Sequence, residues 1–351
     1  MAAGSSDVVR GTVCGLAAAA LFGASTPAAK WLLGTVDPQI LAGLFYFAAG
    51  IALSVYRAVR PAKQEAPLRR TDLPLLAGIV LAGGVAGPLL LLVGLMRTTA
   101  TASALLLNLE APFTMAIALI VFGEHLPRRG LVAALLILLG SAVLKVRPGE
   151  VGGDSLGMLA VAGACAAWAI DNNLTQRLAL RDPVSLVRIK AVAAGAMNLG
   201  IGFARGEGLP PPRPLVVACL VGAASYGVSI VLDTYALRWL GAAREAALFA
   251  TAPFAGAVAS VVLLREPIAA VDALAGAIMA AGVIVLLRDR HAHRHRHEAI
   301  EHEHSHVHDE HHQHHHDGDI DPTEPHTHLH RHEALEHDHP HVSDLHHRHE
   351  H

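Results

Sequence analysis

The sequence predicts an all-α membrane protein: ten transmembrane helices in two inverted five-helix repeats, followed by a disordered C-terminal tail. Three observations predict it. The first 290 residues hold many uncharged stretches of the length a bilayer requires, the second half of that body echoes the first, and the composition changes abruptly after Arg290. Over all 351 residues the chain is 52% apolar, 16% charged and 4% aromatic, but those averages hide two different polymers. Of 25 His, 24 lie between His291 and His351, and only His125 lies earlier. Residues 1–290 carry 23 Lys/Arg against 16 Asp/Glu, a balance of +7, whereas residues 291–351 carry 4 Arg against 14 Asp/Glu, a balance of −10 with His neutral. The overall −3 describes neither part, so it identifies no partner, and no nucleic-acid partner is expected. Cys14, Cys165 and Cys219 lie in apolar runs without a CxxC pair, which excludes a disulfide framework and a Cys-based zinc module. The apolar residues of the body run continuously rather than periodically, which argues against a soluble enzyme.

A spanning helix needs about 20 mostly apolar residues, because a hydrocarbon core about 30 Å thick is crossed at about 1.5 Å per residue. There is no charge at 11–29, 38–56, 73–96, 215–232 or 246–264, and 98–123 contains Glu110 alone. Shorter uncharged runs at 130–144, 155–170, 191–204 and 273–287 are flanked by charges that can snorkel to the interface. Helices are therefore expected at about 11–33, 38–57, 73–95, 99–122, 130–146, 155–178, 184–204, 214–236, 243–264 and 271–288. The first reads as a span rather than a cleaved leader, since it lacks a basic amino end and a small-residue cleavage site before a polar domain. With the amino end in the cytoplasm, the inner loops hold more Lys/Arg than the outer ones, among them Arg57, Arg60, Lys63, Arg69 and Arg70. An even helix count then returns the tail to the cytoplasm.

An internal duplication organises the body. Leu109-Glu110-Ala111-Pro112-Phe113 aligns with Ala250-Thr251-Ala252-Pro253-Phe254, and Gly123-Glu124-His125-Leu126 with Arg265-Glu266-Pro267-Ile268. Gly140-Ser141-Ala142-Val143-Leu144 matches Gly282-Val283-Ile284-Val285-Leu286, and Ala19-Ala20-Leu21-Phe22-Gly23 matches Cys165-Ala166-Ala167-Trp168-Ala169. Each half holds five helices; five is odd, so the second half must be inserted upside down, and such repeats place a binding site near the bilayer midplane between them. The expected organisation is a cytoplasmic N-terminus at 1–10, a first repeat at 11–147, a linker at 148–154, a second repeat at 155–288 and the tail at 289–351.

On these features the body resembles the EamA branch of the drug/metabolite transporter superfamily. The resemblance rests on ten helices in two halves, on the Pro-containing helix followed by a loop Glu (Ala111-Pro112 with Glu124, Ala252-Pro253 with Glu266), and on the aromatic start of each half. It covers residues 11–288 and none of the tail. It implies a carrier of the bacterial inner membrane, typically an exporter of metabolites, and leaves a homodimer open. The second loop Glu follows Arg265 rather than Gly, a departure from the pattern.

An ionisable group at the bilayer centre costs about 2.5–3.5 kcal/mol on insertion scales, so it needs a partner or a use. Glu110 sits in the fourth helix just before Pro112, whose missing N–H loosens the backbone ladder and frees a carbonyl toward a cavity. Asn108 can border the same cavity. Asp171-Asn172-Asn173 of the sixth helix occupies the place matching Ser25-Thr26-Pro27 of the first, which suggests the pair of helices lining a path; interhelical hydrogen bonding is the competing reading. The substrate-path candidates are Ser25, Thr26, Asn108, Glu110, Pro112, Asp171, Asn172, Asn173 and Pro253. Lys30 is expected to snorkel outward, Asp233 to pair with Arg238 or Lys190, Glu245 to sit at the positive end of the ninth helix, and Glu124 and Glu266 to close loops. If transport is proton-coupled, Glu110 and Asp171 are the carboxylates to bind and release the proton.

The tail carries dense ligand chemistry. His291, His293, His295 and His297 alternate with other residues, as do His302, His304, His306 and His308, and His311, His312, His314, His315 and His316 follow. Neutral imidazole suits borderline divalent metals and is mostly free at pH 7, so without Cys the tail should hold Zn²⁺, Ni²⁺, Co²⁺ or Cu²⁺. It has almost nothing apolar to bury and is expected to be disordered without metal. No cofactor is required for function.

The expected function is thus a secondary carrier of a small solute by alternating access, embedded in the lipid bilayer, with a cytosolic metal-binding tail. A divalent-metal transporter with the tail as collector or gate is the alternative, opposed by the lack of a dense ligand cluster in the apolar windows. A membrane-anchored metal store is a further one. No nucleophilic triad, phosphate loop or HExxH is present in the sequence, so no enzyme is expected.

Overall fold

The computed structural model describes residues 5–60, 66–122, 128–145, 155–178, 181–240, 242–287, 291–297, 300–306, 326–332 and 335–341. Among them the body forms ten helical stretches: α1 Ser5–Leu32, α2 Pro38–Val59, α3 70–97, α4 100–122, α5 Arg128–Leu144, α6 Ser155–Gln176, α7 Pro183–Ala204, α8 212–240, α9 242–264 and α10 Ala270–Leu287. Each falls on an expected window. Seven are long and apolar enough to cross a bilayer, and Ala252–Leu264 and Ala270–Leu286 are apolar but shorter. Large apolar side chains remain exposed on outer faces, Ile120, Leu159, Val262 and Leu263 among them, as a protein solvated by lipid requires.

Local chemistry sets where several helices start. Asp37 accepts the backbone N–H of Gln39 and Ile40 ahead of Pro38, and Asp182 accepts that of Val184 ahead of Pro183. Both arrangements satisfy a donor that has no partner inside the helix and place proline where its missing N–H does no harm. Thr99 caps α4 through the Ala102 N–H. The left-handed Arg265, φ 55°, ends α9, so the residue that departs from the family pattern takes the backbone conformation glycine would favour.

Helix pairing displays the duplication. α2 packs on α7 and α5 on α10, while α1 contacts α8 and α9 just as α6 contacts α3 and α4. Along α2 the neighbours retreat along α7: Ile40 meets Gly202, Gly43 meets Leu199, Phe47 meets Gly195 and Gly50 meets Val192. The approach depends on glycine, since a Cβ at Gly195 would strike the Phe47 backbone. α5 and α10 also run antiparallel, Gly140 beside Met279 and Gly282 beside Ala133. Repeat-equivalent helices that cross antiparallel are related by a two-fold axis perpendicular to them, so the halves are inverted. The helical turns widen to π geometry over Val80–Ala86 in α3 and Gly222–Val228 in α8, at the offset that relates Gly140 to Gly282.

In the tail, where composition predicts disorder without metal, four segments lie as strands: β1 His291–His297, β2 Ile300–His306, β3 His326–His332 and β4 Leu335–His341. β1 pairs antiparallel with β4, and β2 with β3. The His-x-His alternation that reads as a solvated chain is also the two-residue period of a strand.

Candidate functional site

The polar centre of the body is built where α4, α6 and α7 meet α2 and α3. Leu107–Leu109 turns as a 3-10 segment just before Glu110, and Pro112 follows, buried, without an N–H to donate. This break presents Glu110 to α6, where its Oε1 accepts the Asn172 Nδ2 donor at 2.6 Å. One residue earlier on α6, Asp171 is held by an ion pair with Lys190 of α7 and accepts the Thr175 hydroxyl at 3.2 Å. Asn173, buried, donates to the carbonyls of Ala169 at 2.8 Å and Thr114 at 3.2 Å. Lys190 therefore pairs with Asp171, not with Asp233, correcting one of the sequence alternatives; Asp233 lies instead against Glu245 of α9, carboxyl to carboxyl.

Helical geometry shows what Asn172 faces. At about 100° per residue it lies about 200° around α6 from Ile170, which shares its exposed side with Leu159. Asn172 is exposed on the side opposite that apolar face, and the half-buried Glu110 meets it there.

The π turn of α3 frames this centre. Its Gly83 carbonyl accepts both the Tyr46 hydroxyl, at 2.8 Å, and the Trp168 indole N–H, at 3.0 Å. A Cβ at Gly83 would collide with the Asp171 carboxylate, so glycine here allows the acid to approach the α3 backbone. The Gly84 carbonyl accepts Asn198 Nδ2 at 3.0 Å, and Asn198 Oδ1 accepts Gln39 Nε2 at 2.6 Å. The π turn of α8 sits in the equivalent place: Ser225 donates to the Leu21 carbonyl at 2.7 Å, and Tyr226 packs on Phe22, the match of Trp168. Tyr226 also contacts Phe45 and Tyr46, which joins the two halves through an aromatic cluster in a chain poor in aromatics.

The structure brings together Glu110, Pro112, Asp171, Asn172 and Asn173, and distributes the other candidates. Ser25 and Thr26 are buried in α1, with Ser25 beside Tyr226. Asn108 does not join Glu110: it is buried, donates to the Leu105 carbonyl at 2.9 Å and lies against Met279 Sδ of α10. The reason is helical spacing: two residues along the helix turn by about 200°, so Asn108 and Glu110 leave it on nearly opposite sides. Pro253 follows the break in α9 at Ala250–Thr251, beside an apolar groove of about 590 Å³ lined by Ala20, Thr251, Phe254 and Val258. Lys30 does not simply reach outward: it donates to the carbonyls of Leu95 and Thr98 at the end of α3. Glu266 closes more than a loop, since its carboxylate accepts Ala100 N at 2.8 Å, Thr101 N at 2.9 Å and Thr101 Oγ1 at 2.7 Å at the start of α4. Glu124 lies outside the described residues, as do His308, His311, His312, His314, His315 and His316. His291, His293, His295 and His297 fall in β1, and His302, His304 and His306 in β2.

Sequence reasoning missed Lys190 as part of the centre, and it missed Tyr46 and Trp168 as donors to one carbonyl. The available signals were a lysine inside an apolar window and the scarcity of aromatics.

A model of the EamA-like transporter family matches this chain twice, over residues 9–146 and 155–288. An uncharacterized transporter of Methanothermobacter thermautotrophicus is 30% identical over 292 residues, covering 77% of this chain and 84% of that protein. A solved crystal structure aligns at a TM-score of 0.58 with 19% identity, covering 79% of this chain and 96% of its own; at that identity it speaks for the fold alone.

Proposed function

Because the chain belongs to the EamA-like transporter family, we propose that it exports a small solute by alternating access of its inverted halves, with Glu110, Asn172, Asp171 and Lys190 as the central polar site. It is a multi-pass membrane transporter and not an enzyme. The single observation that carries the finer reading is the Glu110–Asn172 pair. An acid inside an apolar body is hydrogen-bonded to a neutral amide rather than to a cation. Asp171, by contrast, already has Lys190. A proton or an amine-bearing solute is what completes Glu110, and the cost of placing a carboxylate in the bilayer gives that binding its driving force. The cation on Asp171 also favours an organic solute over a bare metal ion here, since Lys190 occupies the acid that a divalent ion would need.

The Lys/Arg bias supports both termini in the cytoplasm and placement in the plasma membrane. The His-rich tail would then bind Zn²⁺, Ni²⁺, Co²⁺ or Cu²⁺ on the cytosolic side, for which the supporting observation is 24 imidazoles in 61 residues without Cys.

The test is flux from proteoliposomes across a panel of amines, amino acids and divalent metals. The wild-type protein is expected to move an organic solute, and Glu110→Gln to abolish that flux while the protein remains monodisperse. Wild-type flux by Glu110→Gln would refute the assignment.

A further inference from the structure

The tail contains a direct repeat that its histidine density obscures. Residues 291–307 and 326–342 agree at 12 of 17 positions, including all seven His of each copy and the shared stretch Arg-His-Glu-Ala that begins at Arg296 and at Arg331. Two of the differences are conservative, Ile300 against Leu335 and Glu303 against Asp338.

The strands do not align the copies like with like along the chain; they cross them antiparallel. β1 against β4 sets His291 opposite His341, His293 opposite His339 and His295 opposite His337. β2 against β3 sets His302 opposite His330, His304 opposite His328 and His306 opposite His326. Both ladders keep the same register, so each copy is paired with the other in an equivalent way. At the positions between the His the register pairs opposite charges: Arg296 with Glu336 and, equivalently in the other copy, Glu301 with Arg331. Parallel pairing would set Arg296 against Arg331 and Glu301 against Glu336, and like charges directly opposite are destabilising.

We propose that the two copies form a single clamp for borderline divalent metal, in which ions taken up between cross-strand His pairs close copy one onto copy two antiparallel. The spacing fits that chemistry. Directly opposed positions are about 4.5–5.5 Å apart at Cβ and next-but-one positions about 7 Å, within the span of imidazoles sharing an ion at about 2.0–2.1 Å. An isolated His-x-His on one strand offers too few ligands for a tetrahedral site, whereas two opposed pairs offer four. Metal binding by the tail thus becomes a folding event that joins segments 35 residues apart, and the charge pairs between the His select its direction.

This proposal rests on the reading that the tail binds divalent metal, and the test separates the two. Full-length protein in detergent, with Cys14, Cys165 and Cys219 replaced by Ser, is spin-labelled at Ala292→Cys with Pro340→Cys, or at Ala292→Cys with Thr327→Cys. Zn²⁺ is added and its bound stoichiometry measured on the same samples. The clamp predicts that Zn²⁺ brings the 292/340 labels within about 20 Å, while the 292/327 labels stay about 40 Å apart, 13 strand residues along the ribbon at about 3.3 Å each. It further predicts that replacing His337, His339 and His341 by Gln lowers the Zn²⁺ affinity of the intact first copy more than tenfold. Bound Zn²⁺ with both label pairs shortening alike, or neither, overturns the clamp and leaves metal binding standing. An absence of bound Zn²⁺ overturns both.

Discussion

The Lys190 ammonium of α7 is bonded to the Asp171 carboxylate of α6, 19 residues away in sequence and within a body whose outer faces are apolar. Each charge is tolerated there because the other is present. Breaking a buried pair by removing one partner strands a charge, which costs about 3–5 kcal/mol, whereas removing both is far milder. Lys190→Met and Asp171→Leu are therefore each expected to lower the melting temperature of the purified protein strongly, and the double variant less than either. Three thermal scans in one detergent check this; additive losses would contradict the pairing.

Gly83 leaves room for the Asp171 carboxylate beside the α3 backbone, in space that any Cβ would fill. Gly83→Ala must push Asp171 off the Lys190 pair or displace α3, so it should reduce both stability and flux. Gly200 has open space at its Cβ position, and Gly200→Ala is the matched control that should leave both unchanged. Yield after size exclusion and proteoliposome flux distinguish them.

Glu266, between α9 and α10, satisfies two backbone donors and one hydroxyl at the start of α4. The first backbone N–H groups of a helix have no partner within it, and losing a cap costs about 0.5–2 kcal/mol. Glu266→Ala should destabilise by about that amount, and Glu266→Gln by less, since an amide oxygen still accepts. Because the contact ties the second repeat to the first, the loss should appear in the unfolding of the whole body and not of one half.

Asn172 donates to Glu110 from the exposed side of α6 opposite Ile170. Replacing Asn172 by Ala should leave the fold intact, because the residue is exposed, yet alter how Glu110 is completed. The expected result is a rise in the KM for solute of about tenfold or more with melting temperature nearly unchanged. Equal KM values would exclude Asn172 from the site.

The helices and the duplication were legible in the chain because both are local or pairwise properties of composition. A run without charge at bilayer length has one stable solution in lipid, since every backbone group must bond within its own segment. The matching Pro112 and Pro253, and Glu124 and Glu266, marked the halves, and an odd helix number per half fixed their inversion. Glu110 and Asp171 stood out for the same reason, as charges in windows that exclude them.

The partners of those charges were not legible. In sequence Lys190 was offered only to Asp233, and the tertiary packing gave it to Asp171 instead. Asn108 and Glu110 lie two residues apart on nearly opposite sides of the helix, and only the packing decided that one meets Met279 and the other Asn172. Glu266 meets a helix start 165 residues earlier because the halves interlock. Composition along the chain marked which segments enter the membrane, and the internal match with an odd helix count per half marked two inverted sets. Only the tertiary structure decided which polar groups meet, because helix rotation and crossing are set by the glycine-mediated packing of α2 on α7 and α5 on α10, which joins residues far apart in the chain.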